Sequence, residues 1–268
     1  MGQQRSAEHR DFSALAPELS QSLLAWWAVH GRKDPALKPW TFTKDGRRPE
    51  PDEHLYVLEC WLADVMLQHT QLKVVLPYWQ RWMQTFPSLK ALAVAEEQLV
   101  LLKWQGLGYY SRARRLHASA QNLLKQIGSD AIGDPQHWPR DLDVWLALPG
   151  IGPSTAGGIL SSAFNSPLAI LDGNVRRVLA RLQAHPRPPM RAQRLFWSWS
   201  EALIAAAPKR ARDLNQALMD LGATVCTPSS PNCGACPWQT HCAAYAAGDV
   251  EHYPVKETPR AVPFQVIG

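Results

Sequence analysis

Apolar residues recur at helical spacing through most of the chain. Over residues 13–30, Leu19, Leu23, Trp26, Trp27 and His30 fall on one stripe, and Gly31 ends the segment. Residues 54–70 repeat the pattern with Leu58, Trp61, Leu62, Val65 and Met66. Residues 76–86 follow, with Pro77 in or near the first turn, and then residues 96–104, closed by Gly106-Leu107-Gly108. A basic helix is expected after Tyr109 and Tyr110. Residues 142–148, 154–163, 174–182, 191–206 and 213–223 complete the series. Residues 34–53 are rich in Pro, Lys and Arg and read as loop. No segment alternates with the period of a strand, so the expected class is all-α.

Two of these helices are joined by Leu148-Pro149-Gly150-Ile151-Gly152, a glycine turn between apolar segments. Gly150 and Gly152 allow a positive φ and let backbone approach another molecule closely. Pro153 suits the first turn of the following helix, whose free N–H groups and positive end form a ready anion site. An ordinary capped helix–helix turn would look the same. What sets this one apart is Asp172, an isolated acid in an apolar run that ends in Gly173-Asn174. A second acid, Asp64, shares a helix face with Val57, Cys60 and Trp61, with Gln68 one turn on. Packed there it would be desolvated, with its pKa raised; turned to the helix edge it would be an ordinary solvated acid.

With 268 residues, 46% of them hydrophobic, the chain can bury a real core and is not disordered. No apolar run reaches the roughly 18 residues of a membrane helix. The start, MGQQRSAEHRDF, carries no secretory core, so a reducing cytosol is expected. The net charge of +5 hints at a polyanionic partner. Tyr109 and Tyr110 ahead of Arg112 and Arg114 sharpen that hint, since rings can wedge between bases while arginines meet phosphates. A solvated basic helix with its tyrosines in the core would fit the same residues.

Cys60 stands alone and reads as a small core residue. Cys226, Cys233, Cys236 and Cys242 lie within seventeen residues, spaced x6, x2 and x5. In a reducing compartment this spacing means a metal site. Zinc and a four-thiolate cubane both satisfy it. Pro228, Pro231, Gly234 and Pro237 make the segment loop-like, suited to wrapping an object larger than one ion, which favours a [4Fe–4S] cluster.

These cysteines, following the LPGIG turn and the downstream acid, resemble those of the helix-hairpin-helix DNA glycosylases of the endonuclease III superfamily. Within it, WLADVMLQHTQ (61–71), GLGYYSRAR (106–114), PGIGPSTAGGIL (149–160), LDGNVRRVLAR (171–181) and NQALMDLGATVC (215–226) are similar to the MutY-type adenine glycosylases. The resemblance implies a six-helix barrel domain over residues 50–165. It also implies a helical cluster domain from residues 1–49 and 166–248, and a linker over 249–268 toward a further domain that the chain does not contain.

The implied reaction is removal of adenine mispaired with 8-oxoguanine or guanine. The implied partner is double-stranded DNA, with the protein a monomer in the cytoplasm, associated with the nucleoid. Asp172 would stabilise the sugar cation beside Asn174. Gly150 and Gly152 would grip phosphate, and Tyr109 or Tyr110 would wedge beside the lesion. Gln68, His69, Arg112 and Arg114 would face DNA. So would Ser154, which stands where bifunctional relatives place a lysine, implying a glycosylase that does not cut strands. Two departures stand out: the family's catalytic glutamate is Asp64 here, and the second glutamine of its pattern is His69. They leave room for a different base preference, or for a mismatch-binding module with little turnover.

Overall fold

A computed structural model describes residues 11–128 and 137–257, and among these no residue lies in a strand. The elements in chain order are α1 (Phe12–His30), α2 (Val57–Leu67), α3 (Leu72–Thr85), α4 (Leu89–Ala93), α5 (Glu97–Trp104) and α6 (Tyr110–Ile127). They are followed by α7 (Leu142–Leu146), α8 (Pro153–Phe164), α9 (Gly173–Leu182), α10 (Gln193–Ala206), α11 (Ala211–Thr224) and α12 (Ala243–Ala246). The all-α expectation holds. Boundaries moved where local chemistry overrides apolar spacing. The second helix runs only from Val57 to Leu67, because His69 turns left-handed at φ 58°. The third begins at Leu72, which places Pro77 inside it and not in its first turn. The short α4 and α12 carry no apolar period long enough to read.

Two buried cores divide the chain. The first runs from Trp40 to Phe164 and is enclosed by α2 to α8, with Trp61, Trp82, Trp104, Trp138 and Trp145 filling it. The second joins α1 to residues 169–238, so that both ends of the described chain meet in one cluster. Trp40 belongs to the first core, although it precedes the expected boundary at residue 50. The linker expected over 249–268 is described only as far as residue 257; the rest of it lies outside the described residues.

Buried polar groups join the two cores. Asp220 on α11 accepts from Trp27 Nε1 (3.0 Å), Arg32 Nε (2.8 Å) and Lys38 Nζ (2.7 Å), tying α1 and the following loop to α11. Burial pushes Lys38 down to about 8 even with Asp220 beside it. Arg212, also buried, donates to the carbonyls of Ser162, Ala163, Glu50 and Glu53, clamping the end of α8. One partner lost from such a cluster leaves a desolvated charge, so these residues fix how the halves meet.

The junction segment 168–172 carries Asp172 and is held on three sides. Asn215 Nδ2 donates to the Leu168 carbonyl (2.8 Å), Ser200 Oγ to that of Ile170 (2.6 Å), and the Leu171 N–H to Ser154 Oγ (3.0 Å). Glycine on α8 permits the approach: a Cβ on Gly157 would stand 2.3 Å from the Ala169 carbonyl oxygen. Gly157→Ala is therefore expected to destabilise the fold by about 1–3 kcal/mol through overpacking. Gly152→Ala, with nothing within 4 Å of its Cβ, should cost less, about 0.5–1 kcal/mol for the poorer N-cap of α8. Thermal denaturation of the two variants side by side checks this.

Candidate active site

Asp64 lies on α2 where α8 crosses it. Asp64 is half-buried at this crossing. Burial first, and then the charge of Asp172, push Asp64 up from its ordinary 3.8 to about 8, against a hydrogen bond from Thr155 that favours the carboxylate. Helix α8 leaves room for it. A Cβ on Gly158 would stand 2.9 Å from Asp64 Oδ1.

Asp172 caps α9: Oδ1 accepts from the Val175 N–H at 2.7 Å, beside the positive end of the helix. Asn174 Nδ2 lies 3.4 Å from the other oxygen, and Asn174 Oδ1 in turn accepts from Arg177 Nη2 (2.8 Å). Gly222 on α11 makes this fit possible, since a Cβ there would stand 2.6 Å from that of Asn174. Two carboxyls in each other's field thus meet opposite surroundings. Asp64 faces the packed crossing of α2 and α8, and Asp172 is fed by N–H donors.

The remaining candidates fall into two groups. His69 and Tyr109 are exposed, both left-handed (φ 58° and 46°), with ring centroids 5.9 Å apart. Tyr109 is 69% exposed and Tyr110 41%. Two strained non-glycine residues meeting at one surface point mark a built feature. Gly150 is left-handed at φ 80°, and Gly152 is the N-cap of α8. Ser119 Oγ holds the Pro149 carbonyl at 3.0 Å, fastening the hairpin to α6.

Gln68, Ser154 and Asn174 instead face inward: Gln68 bonds Thr155, Ser154 holds Leu171, and Asn174 braces Asp172. Arg112 corrects the sequence reading. It is 7% exposed and donates to the carbonyls of Val65, Met66, Gln68 and Leu107. The end of α2 leaves carbonyls without helical partners, and the five-donor guanidinium satisfies them. Arg112 therefore holds the end of α2 in place, with its guanidinium turned into the protein. Arg114 stays exposed, paired with Glu97 at 3.2 Å, an ion pair of little strength. The cation that sequence reasoning missed is Arg115, exposed, with its stem laid over Gly150. Thr155 and Gly158 were missed too. Their only signal was two glycines inside a helix, which costs stability unless a neighbour needs the space.

Cys226, Cys233, Cys236 and Cys242 line one pocket with Val225, Pro231, Tyr245 and Val250. Among the described residues no three His, Cys, Asp or Glu side chains gather tightly enough to hold a single ion. The four thiols share this one pocket, a donor set that suits a four-thiolate cluster. Arg181, 1% exposed, frames the pocket: Nη1 lies 3.4 Å from Cys226 Sγ, Nη2 donates to Pro228 and Nε to Val250 and Tyr253.

Residues 62–202 match the HhH-GPD superfamily of base excision DNA repair proteins, over more than half of the chain. The chain belongs to this superfamily. Residues 226–242 match the iron–sulfur binding domain of endonuclease III, which makes the four cysteines the seat of a [4Fe–4S] cluster. An adenine DNA glycosylase of Mus musculus is 39% identical over 84% of this chain and 41% of its own length. One of Homo sapiens is 40% identical over 83% of this chain and 38% of its own. One of Buchnera aphidicola is 33% identical over 92% and 65%. The chain thus spans about two-fifths of the length of the mammalian relatives. Among solved structures, a thermostable thymine-DNA glycosylase superposes with a TM-score of 0.68 at 22% identity, covering 88% of this chain and all of that one. An endonuclease III–DNA complex gives 0.64 at 18%, covering 88% and 97%. These two likenesses establish the superfamily fold.

The raised pKa of Asp64 carries a stability consequence. Between about pH 4 and 8 the folded protein keeps a proton that the unfolded chain has released, so stability falls as pH rises through that window. Asp64→Asn lacks this slope. It should be more stable than the parent at pH 8, by on the order of a few kcal/mol, and should converge with it near pH 4. Chemical denaturation at the two pH values measures the difference; equal gaps at both would mean that Asp64 titrates normally.

Proposed function

We propose that the protein removes adenine from mispairs in duplex DNA by hydrolysing the N-glycosidic bond, without cutting the strand. Adenine leaves poorly until N7 is protonated, so an acid must still hold its proton near neutral pH. The observation that carries the reading is the pairing of Asp64, pushed up to about 8, with an N–H-fed Asp172 in its field. Asp64 supplies the proton, and Asp172 faces the positive charge that develops on the sugar. Ser154, engaged with the Leu171 backbone, offers no amine for a Schiff base, which supports a hydrolase without lyase chemistry.

The DNA would lie across the face that presents His69, Tyr109, Tyr110, Arg115 and the hairpin. Tyr109 serves as the wedge, while the hairpin N–H groups and Arg115 take phosphates. The two cores correspond to a barrel domain and a cluster domain, the latter held together by thiolate ligation when the cluster is bound. The protein acts as a monomer at the nucleoid; among the described residues no helix is long and apolar enough to cross a membrane. His69 in the wedge favours a second reading, in which a glycosylase of the same fold removes a different base.

Single-turnover incubation with duplexes holding A opposite 8-oxoguanine, A opposite G and A opposite T, with T opposite G for contrast, tests this. The expected product is free adenine from the first two, leaving intact strands that break only under alkali. Release of a different base would support the second reading. An abundant borohydride-trapped covalent adduct would overturn the hydrolytic route.

A further inference from the structure

Two connections meet at the surface point that His69 and Tyr109 share. One joins α2 to α3 over residues 68–71, and the other joins α5 to α6 over residues 105–109. Each carries a non-glycine residue in the left-handed region, His69 at φ 58° and Tyr109 at φ 46°, a conformation that persists only where the surroundings impose it. One guanidinium imposes both. Arg112 Nη1 donates to the Gln68 carbonyl, just before His69, and Nη2 lies 3.4 Å from Thr70 Oγ1, just after it. Nη2 also donates to the Leu107 carbonyl at 2.8 Å and lies 3.4 Å from that of Gly108, the residue before Tyr109. The central carbon of the same group stands 5.6 Å from the centroid of the Tyr109 ring and 5.3 Å from that of Trp104. Trp104 backs this arrangement, donating from Nε1 to the Gly108 carbonyl at 2.9 Å. A planar fork with five donors can hold two loops at once, which a compact ammonium cannot.

We propose that Arg112 is the positioning residue of the wedge: it locks His69 and Tyr109 into one two-ring blade that holds the duplex open while a nucleotide leaves the stack. A ring that enters a base step must displace stacking, and a ring free to swing would be pushed aside instead. Because one buried group holds both loops, the two rings move as a unit. Arg112 thus serves DNA opening from inside the protein. The proposal rests on the glycosylase reading for what the blade acts upon, but the bracing itself does not depend on that reading.

The test uses the cluster-loaded, full-length chain carrying Asp64→Asn, so that changes at the acid do not enter. The duplex holds 2-aminopurine opposite guanine, a base that brightens when it leaves the stack. Binding of the Asp64→Asn protein should raise the fluorescence. Adding Arg112→Lys, His69→Ala or Tyr109→Ala should each lower the equilibrium constant for flipping about tenfold, the scale of losing one stacked ring. These losses should not add: Tyr109→Ala combined with either of the other two should lose little more than Tyr109→Ala alone. The salt dependence of duplex affinity should be unmoved by Arg112→Lys, whereas Arg115→Ala should lower the slope by about one. A pyrene nucleotide opposite the 2-aminopurine, a flat aromatic that fills the gap without protein, should restore flipping to Arg112→Lys. If Arg112→Lys loses its cooperative melt, Arg112→Gln replaces it, and the exposed pair His69 and Tyr109 decides by itself whether the rings act as one. Additive losses, a defect that pyrene leaves in place, or a salt slope that falls with Arg112 while flipping persists would overturn the proposal. So would a duplex that the Asp64→Asn protein does not open. Opening by a protein whose parent releases no adenine would sustain the blade and remove the glycosylase reading instead.

Discussion

Two carboxyls kept in each other's field, in unlike surroundings, are the constraint on which the rest of this structure depends. Burying a carboxyl near another is unfavourable unless one of them stays protonated. The chain meets this by giving each acid its own support. Asp64 stands where α2 meets α8, close to Gly158, and burial raises it. Asp172 is given the N–H groups and the positive end of α9. Helix α8 serves both: Ser154 fastens the segment ahead of Asp172, Gly157 lets that segment come near, Thr155 holds Gln68 at the end of α2, and Gly158 makes room for Asp64. Four residues of one helix, all between 154 and 158, thus build the site from one side. The stability given up there is made good by buried clamps elsewhere, centred on Asp220 and Arg212.

The basic helix α6 divides its arginines by face, and this reorganises any account of DNA contact. Arg112 points into the protein and closes the end of the helix that carries Asp64, so its loss would disturb the acid before it disturbed binding. Arg115, three residues on, lies outside over the hairpin glycine. Arg177 links Asn174 to the Cys226 carbonyl at 2.8 Å, so the cysteine segment and the brace of Asp172 share one side chain.

What could be read from sequence was what repeats or what is chemically rare. Apolar spacing exposed the long helices, four close cysteines exposed the cluster seat, and an acid beside Gly173-Asn174 exposed Asp172. The helical face of Asp64 left its burial open, because spacing tells which side a residue is on and not how closely the facing helix approaches. That approach depends on Gly157 and Gly158, whose role appears only once α8 is laid on α2 and on the junction segment. Arg112 was misread for a related reason. A cation before an exposed surface and a cation that caps a buried helix end look alike in sequence, and only the unpaired carbonyls of Val65 and Met66 distinguish them.

The account stands or falls on Asp64 being the proton donor although it is one methylene, about 1.5 Å, shorter than the glutamate its family pattern carries. The most direct measurement is the single-turnover rate of adenine release for the parent, Asp64→Asn, Asp64→Glu and Asp172→Asn, with duplex affinity measured in parallel. The account predicts that both asparagine variants bind DNA like the parent and release no adenine, while Asp64→Glu changes the rate about tenfold or more, since a misplacement of this size alters proton transfer on that scale. A parent-like rate for Asp64→Asn would contradict it, because the proton would then come from another group.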